Sequence, residues 1–218
     1  MIKPDVKPEN SNFSSGPCSK RPGWNPNVLH KAILGRSHRS SVAKSRINYL
    51  IKNVKEILSI PNNYHVGVVP GSDTGAVEIA LWNLIGIKPV QMLVWDSFGN
   101  DWAKDLKEQL QISGLNVQNV EYGSIPDLYN INFNDDIIFN FNGTTGGVKV
   151  PNLDWIPINR NGLTICDATS AAFAMEMDWR KLDVATFSWQ KCLGGEGGHG
   201  ILILSPNAVE RINTYNPS

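Results

Sequence analysis

Seven short apolar runs between residues 65 and 204, separated by turns or by segments of helical length, are what most constrain this chain. The runs cover residues 65–69, 92–95, 117–121, 137–141, 163–166, 184–188 and 201–204 and are rich in Val and Ile. Residues 74–84 and 102–112 between them carry helical periodicity, and residues 207–213 close the chain as a helix. Residues 40–58 form an earlier helix, with Val42, Ile47, Leu50, Ile51, Val54 and Leu58 as its apolar stripe. Strands alternating with helices specify an α/β layered fold around a mostly parallel sheet. The last two runs are joined by a glycine-rich loop without the helix that a parallel crossover needs, so one strand is expected to be antiparallel. The opening stretch, with Pro4, Pro8, Pro17, Pro22 and Pro26, reads as an extended arm.

That frame has room for one sizeable core, since 41% of 218 residues are hydrophobic. Twenty Lys and Arg balance twenty Asp and Glu, which points to no nucleic-acid or membrane partner. No apolar run approaches a membrane span, and the first twelve residues lack a signal peptide's apolar stretch. Cys18, Cys166 and Cys192 are odd in number and far apart, fitting neither a disulfide framework nor a zinc site. A reducing cytoplasm and no metal are therefore expected. The charge is unevenly placed: between Glu9 and Glu56 there is no acid, but nine basic residues, among them Lys20, Arg36, Arg39 and Lys44. The plainer reading is a solvated helical face, and the functional one is a basic wall for an anionic substrate, with Arg39 singled out.

In open α/β sheets, ligands collect beyond the carboxyl ends of the strands. Ser72, Thr144, Asp167 and Lys191 all fall at such ends. Lys191 follows Ser188-Trp189-Gln190 and precedes a loop, Gly194 to Gly200, whose glycines let backbone approach a ligand. It is either a surface lysine at a strand end or a partly desolvated amine that condenses with a carbonyl. Asp167 either caps the alanine-rich turn that follows it or pairs with a buried cation. Such a pair is worth roughly 4 kcal/mol at about 4 Å and an effective dielectric near 20. In Gly71-Ser72-Asp73-Thr74-Gly75, helix-terminal amides and hydroxyls suit a phosphate, or simply cap a helix. Asp73 is compatible with a phosphate only if its carboxylate points away. Trp102 opens its helix and either stacks on a planar ligand or belongs to the core. Thr144 either bonds a ligand or stabilises a turn rich in Asn and Gly. Residues 195–200 match G-x-G-x-x-G, but an apolar strand follows where a dinucleotide site needs a helix. His199 reads as a loop residue and Cys192 as packing.

Asn12-Phe13-Ser14-Ser15-Gly16-Pro17, Ser37-His38-Arg39, Pro70-Gly71-Ser72-Asp73-Thr74-Gly75-Ala76, Asp167-Ala168-Thr169-Ser170 and Ser188-Trp189-Gln190-Lys191 follow one another in this order. On them the chain, from residue 12 to 218, resembles the phosphoserine aminotransferase family of class V pyridoxal-phosphate-dependent enzymes. The resemblance implies a fold-type-I large domain: a mostly parallel sheet with one antiparallel strand and helices on both faces. It implies pyridoxal 5′-phosphate as cofactor, with Lys191 as the lysine that carries it and Asp167 as the partner of its ring nitrogen. Ser72, Asp73 and Thr74 then belong to the phosphate cup, Trp102 stacks on the ring, and Thr144 and Gln190 are further cofactor contacts. His38 and Arg39 resemble the pair that binds the substrate's anionic groups. The implied reaction moves an amino group between glutamate and 3-phosphohydroxypyruvate, in serine biosynthesis, in a cytoplasmic homodimer. Residues 1–39 would be an arm carrying the substrate-binding segment, and residues 40–218 the cofactor domain. Members of the family continue into a small C-terminal domain that this chain is expected to lack. The alternatives are a catalytically impaired, truncated relative that keeps the fold and the cofactor, or another class V transaminase of the alanine– or serine–glyoxylate type.

Overall fold

The structure, a computed structural model, describes residues 5–6 and 20–217; the motif at residues 12–17 and Cys18 lie outside them. In chain order the elements are a 3-10 helix Pro26–Lys31, α1 Ser41–Ile57, β1 His65–Pro70, α2 Ser72–Leu84, β2 Val90–Val94 and α3 Ser97–Lys104. A π-helical turn, Asp105–Gln109, extends α3. Then come β3 Leu115–Asn119, β4 Asp136–Asn140, a two-residue hairpin of β5 Asn142–Gly143 and β6 Val148–Lys149, and β7 Thr164–Asp167. A 3-10 turn Trp179–Lys181, β8 Val184–Ser188, β9 His199–Leu204 and α4 Pro206–Thr214 complete the chain.

Seven strands form one sheet in the order β1-β9-β8-β7-β4-β2-β3. β9 is antiparallel to both of its neighbours, and the β8-β7-β4-β2-β3 pairings are parallel. The glycine-rich connection read from the sequence therefore does return the chain antiparallel. Side chains alternate across the sheet with period two. Ile137 and Phe139, Ala185 and Phe187, and Ile201 and Ile203 join one core layer, while Ile138, Val184 and Leu202 join the other. The second layer is closed by Val77, Leu81 and Leu84 of α2, Trp102 and Ala103 of α3, Leu106 of the π-helical turn and Ala208 of α4. The first is closed by Val54 of α1 and, mostly, by non-helical chain bearing Leu128, Leu153, Trp155, Ile156 and Trp179.

Two buried ion pairs tie the amino ends of the strands. Arg211 reaches Asp136, the first residue of β4, at 2.7 Å, and Arg160 reaches Asp183, just before β8, at 2.7 Å. Asp183 also accepts the Thr164 N–H at 3.0 Å and the Ser205 hydroxyl at 2.8 Å. Polar residues that hold the sheet together thus lie at the end opposite to the one where ligands collect.

Four expectations need correction. The opening stretch is not extended throughout, because Asn25 caps a 3-10 helix that has Pro26 in its first turn. The third helix starts at Ser97 rather than Trp102, because Asp96 accepts the Gly99 N–H at 2.9 Å and caps it five residues earlier than hydrophobic periodicity shows. The second begins at Ser72, and Gly71, in the left-handed region at φ 85°, is its N-cap, so neither Ser72 nor Asp73 caps it. Finally, the apolar stripe of α1 is only partly covered: Val54 is buried, but Val42, Ile47 and Leu50 are exposed.

Candidate active site

The carboxyl ends of β1, β2, β4, β7 and β8 open onto one cleft with a cavity of about 130 Å³. Ser72, Asp73, Thr74, Trp102, Thr144, Asp167, Gln190 and Lys191 all line it. The sheet therefore gathers eight residues that the sequence spreads over 120 positions into one place. His38 and Arg39 are exposed in the turn before α1 and do not line the cleft. The other basic residues between Glu9 and Glu56 are exposed too, except Lys55, whose amine donates to the Tyr64 carbonyl at 2.8 Å.

The start of α2 has the makings of an anion site. Its N-cap, Gly71, offers no side chain, so the first amides of this 13-residue helix are not satisfied by a side-chain cap, and Ser72 and Thr74 at this helix start line the cleft. Ser72 has φ 61°, a conformation rare for a side-chain-bearing residue, and it follows a left-handed Gly71. The glycine loop presses against this turn. A Cβ at Gly200 would overlap the Ser72 carbonyl, and one at Gly197 would meet the Gln190 amide and the Ser72 hydroxyl. Gln190 in turn accepts a hydrogen bond from the Ser188 hydroxyl, which fixes the residue before Lys191. The Lys191 amine lines the cleft in the turn that follows β8.

Asp167 ends β7. Its Oδ1 accepts the Thr169 N–H at 3.0 Å, so the turn-capping reading of this residue holds. It also lines the cleft, so the two readings are compatible. Asp73 meets the condition set for a phosphate neighbour: it is only 6% exposed and its carboxyl lies beside Asp167. Burial, then the Asp167 carboxylate, push the Asp73 carboxyl well above the usual carboxylate range. Trp102 sits in the middle of α3 with its ring nitrogen buried and without a hydrogen-bond partner. Thr144 is held from two sides: its N–H donates to Asp96 Oδ2 at 3.1 Å, and its hydroxyl lies 3.3 Å from the Ser170 hydroxyl.

Sequence reading missed Asp96, Phe98, Asn140, Asn142, Thr169 and Ser170, all of which line the cleft. Asp96 follows the apolar run at residues 92–95, so the rule that found Asp167 would also have found it. Among the described residues, no cluster of His, Cys, Asp and Glu is placed to hold a metal ion, and no helix is long and apolar enough to cross a membrane.

These features fit pyridoxal phosphate. An uncapped helix start with two hydroxyls suits a phosphate, a buried indole suits a planar ring, a strand-end carboxylate suits a protonated ring nitrogen, and a lysine shares their cleft. No protein-family model matches the chain. It is 54% identical over 217 residues to a phosphoserine aminotransferase of Methanosarcina mazei, an alignment covering 100% of this chain and 59% of that protein. The crystal structure of a phosphoserine aminotransferase from Cytophaga hutchinsonii superposes with TM-score 0.74 at 25% identity, covering 86% of this chain and 52% of that one. A pyridoxal-phosphate-bound phosphoserine aminotransferase from Trichomonas vaginalis superposes with TM-score 0.69 at 19% identity, covering 91% and 59%. Sheet order and superposition together give the class: the chain has the large-domain fold of class V pyridoxal-phosphate-dependent aminotransferases. Within that class it is a relative of the phosphoserine aminotransferases. It spans about three-fifths of the length of the relatives it matches.

Proposed function

We propose that the chain is the cofactor-binding part of a transaminase of the phosphoserine type. It would bind pyridoxal 5′-phosphate and serve amino transfer between glutamate and 3-phosphohydroxypyruvate in serine biosynthesis. The observation that carries this reading is the convergence of Lys191, Asp167, Trp102 and the uncapped start of α2 on one cleft. When bound, the cofactor supplies an electron sink for the charge left at the substrate's α-carbon.

The chain's own residues would do the rest. The amides of residues 72–74 and the Ser72 and Thr74 hydroxyls hold the phosphate. Trp102, buried at the cleft, would stack on the cofactor ring and help to exclude water from it. Thr144, oriented by Asp96 and Ser170, and Gln190, oriented by Ser188, fix the ring in its plane. Asp167 keeps the proton on the ring nitrogen. The Lys191 amine would hold the cofactor and would move a proton at the substrate α-carbon, as general base and then as general acid. His38 and Arg39 would bind the substrate's anionic groups from the segment at residues 1–39, with residues 40–218 as the cofactor domain. A cytoplasmic homodimer accompanies this reading. The exposed Val42, Ile47 and Ile57 of α1 support it as apolar surface that a second copy would cover.

Titrating the chain with pyridoxal phosphate tests the proposal. A visible absorbance band should form and be absent in Lys191→Ala. No band in the intact chain would refute cofactor binding. Amino transfer from glutamate to 3-phosphohydroxypyruvate, compared with glyoxylate as acceptor, tests the substrate assignment.

A further inference from the structure

We propose that Asp73 serves as a neutral carboxylic acid that hydrogen-bonds Asp167 and so sets how firmly the ring nitrogen of bound pyridoxal phosphate holds its proton. Asp73 is a positioning residue, acting through Asp167, and the inference rests on the function proposed above.

Asp73 is the second residue of α2, and its carboxyl is turned inward rather than toward the phosphate end. Its Oδ1 is fully buried with no hydrogen-bond partner of normal geometry, as are the hydroxyls of Thr169 and Thr186 around it. The protein's buried arginines, Arg160 and Arg211, are committed to Asp183 and Asp136 at the other end of the sheet. An Asp in this position faces a second carboxylate, Asp167, and two such groups in contact in a dry site do not both ionise. Asp73 is the one placed to keep the proton: it is buried with Oδ1 unpartnered, whereas Asp167 is only half-buried and accepts the Thr169 N–H, and burial, then Asp167, push the Asp73 carboxyl up. Three other titratable groups lie near the pair. The Cys166 thiol on β7 is pushed up by burial, then by Asp167 and Asp73, and stays neutral. Asp96, across the cleft, is raised by burial and also feels Asp167. Lys191 lines the same cleft from the β8 side.

A protonated Asp73 has one O–H to donate, and Asp167 is the acceptor beside it. Asp167 already takes the Thr169 N–H on Oδ1, so a second donor fixes its orientation and disperses its charge. An ion-pair partner with dispersed charge holds a ring proton less tightly than a bare carboxylate does. Asp73 thus moderates the partner that Asp167 presents to the ring.

Two readouts on the full chain test this. In the cofactor-free protein, infrared spectroscopy at neutral pH should show a protonated carboxylic-acid stretch that disappears in Asp73→Asn. With pyridoxal phosphate labelled with 15N in the ring, the nitrogen's chemical shift followed against pH reads its protonation directly. Asp73→Asn keeps a donor and should titrate as wild type does. Asp73→Ala removes the donor, and its ring titration should move up by about one pH unit, the size expected for one hydrogen bond to a charged group. Absence of the acid band in wild type, or a downward move of a unit or more in Asp73→Asn, would mean that Asp73 is ionised and overturns the proposal. If Asp73→Ala does not fold, the band and Asp73→Asn still decide it. Failure of the wild-type chain to bind the cofactor overturns the proposed function and this role together. A missing acid band in a chain that does bind it overturns the role of Asp73 alone.

Discussion

Asp96 Oδ2 accepts a hydrogen bond from the backbone N–H of Thr144 at 3.1 Å, across 48 positions of sequence, while its Oδ1 accepts the Gly99 N–H that starts α3. One buried carboxylate therefore sets both the helix that carries Trp102 and the turn that carries Thr144. Asp96→Ala removes a helix cap and strands two N–H groups, and it should cost about 1–3 kcal/mol of stability. Asp96→Asn keeps an acceptor oxygen and should cost less. Urea unfolding measures the stability, and a pyridoxal phosphate titration should show weaker binding in the alanine variant than in the asparagine one.

The Arg211–Asp136 pair lies at the other end of the sheet, bidentate and buried, and Arg211 also donates to the Leu84 carbonyl at 3.0 Å. It anchors α4 and the end of α2 to the start of β4. Arg211→Met leaves a buried carboxylate with no cation, its remaining partner being the Leu163 N–H at 2.8 Å, and should cost about 3–5 kcal/mol. Replacing both residues, Arg211→Met with Asp136→Leu, should recover a large part of that loss. Denaturant midpoints of the three variants check the ordering, and a double variant as unstable as the single one would contradict it.

Strand-end logic made Ser72, Thr144, Asp167 and Lys191 legible before any coordinates, because period and punctuation alone place a strand's last residue. Side-chain direction was not legible. Asp73 reads as a phosphate neighbour whose carboxylate must point away, but nothing in the sequence says that it turns beside Asp167. Asp96 was legible as a strand-end residue, but its role as a helix cap was not, because Gly99 weakens the helical pattern just where the cap acts. That glycine is there for close approach: a Cβ on it would sit 3.4 Å from Asp96 Oδ1 and 3.6 Å from Asn140 Oδ1. The apolar stripe of α1 was read correctly as a helix, but periodicity says nothing about what covers a stripe, and Val42 and Ile47 are left exposed.

Tyr64 gives the fold an alkaline limit. Its hydroxyl donates to the Trp179 carbonyl at 2.6 Å, and burial, reinforced by Asp183, pushes its pKa up to about 12. The unfolded chain loses this proton near pH 10. Above that pH the folded state binds more protons than the unfolded state, so stability is full below pH 10 and falls as pH rises toward 12. Tyr64→Phe should cost about 1 kcal/mol at neutral pH and show a shallower loss of stability between pH 10 and 12. Thermal melts across that range compare the two slopes.

Three glycines of one loop make a graded test of how the cleft is built. A Cβ at Gly198 meets nothing within 4 Å, so Gly198→Ala should leave both stability and cofactor affinity near wild type. At Gly197 the Cβ would run into the Gln190 amide and lie 3.1 Å from the Ser72 hydroxyl, the far ends of two cleft-lining side chains. Those can move, so Gly197→Ala should fold normally but bind pyridoxal phosphate roughly tenfold more weakly, about 1.4 kcal/mol. At Gly200, in β9, the obstacle is the Ser72 carbonyl and the Ala76 methyl of α2, which belong to α2–β9 packing and have no rotamer to escape into. Gly200→Ala should therefore lose about 1–3 kcal/mol of stability as well as affinity. Melting temperature and cofactor titration on the three variants separate the cases. A Gly197→Ala chain that binds as wild type would mean that Gln190 and Ser72 do not hold the cofactor, whereas an equal loss at Gly198 would mean that the loop acts through its flexibility rather than its fit.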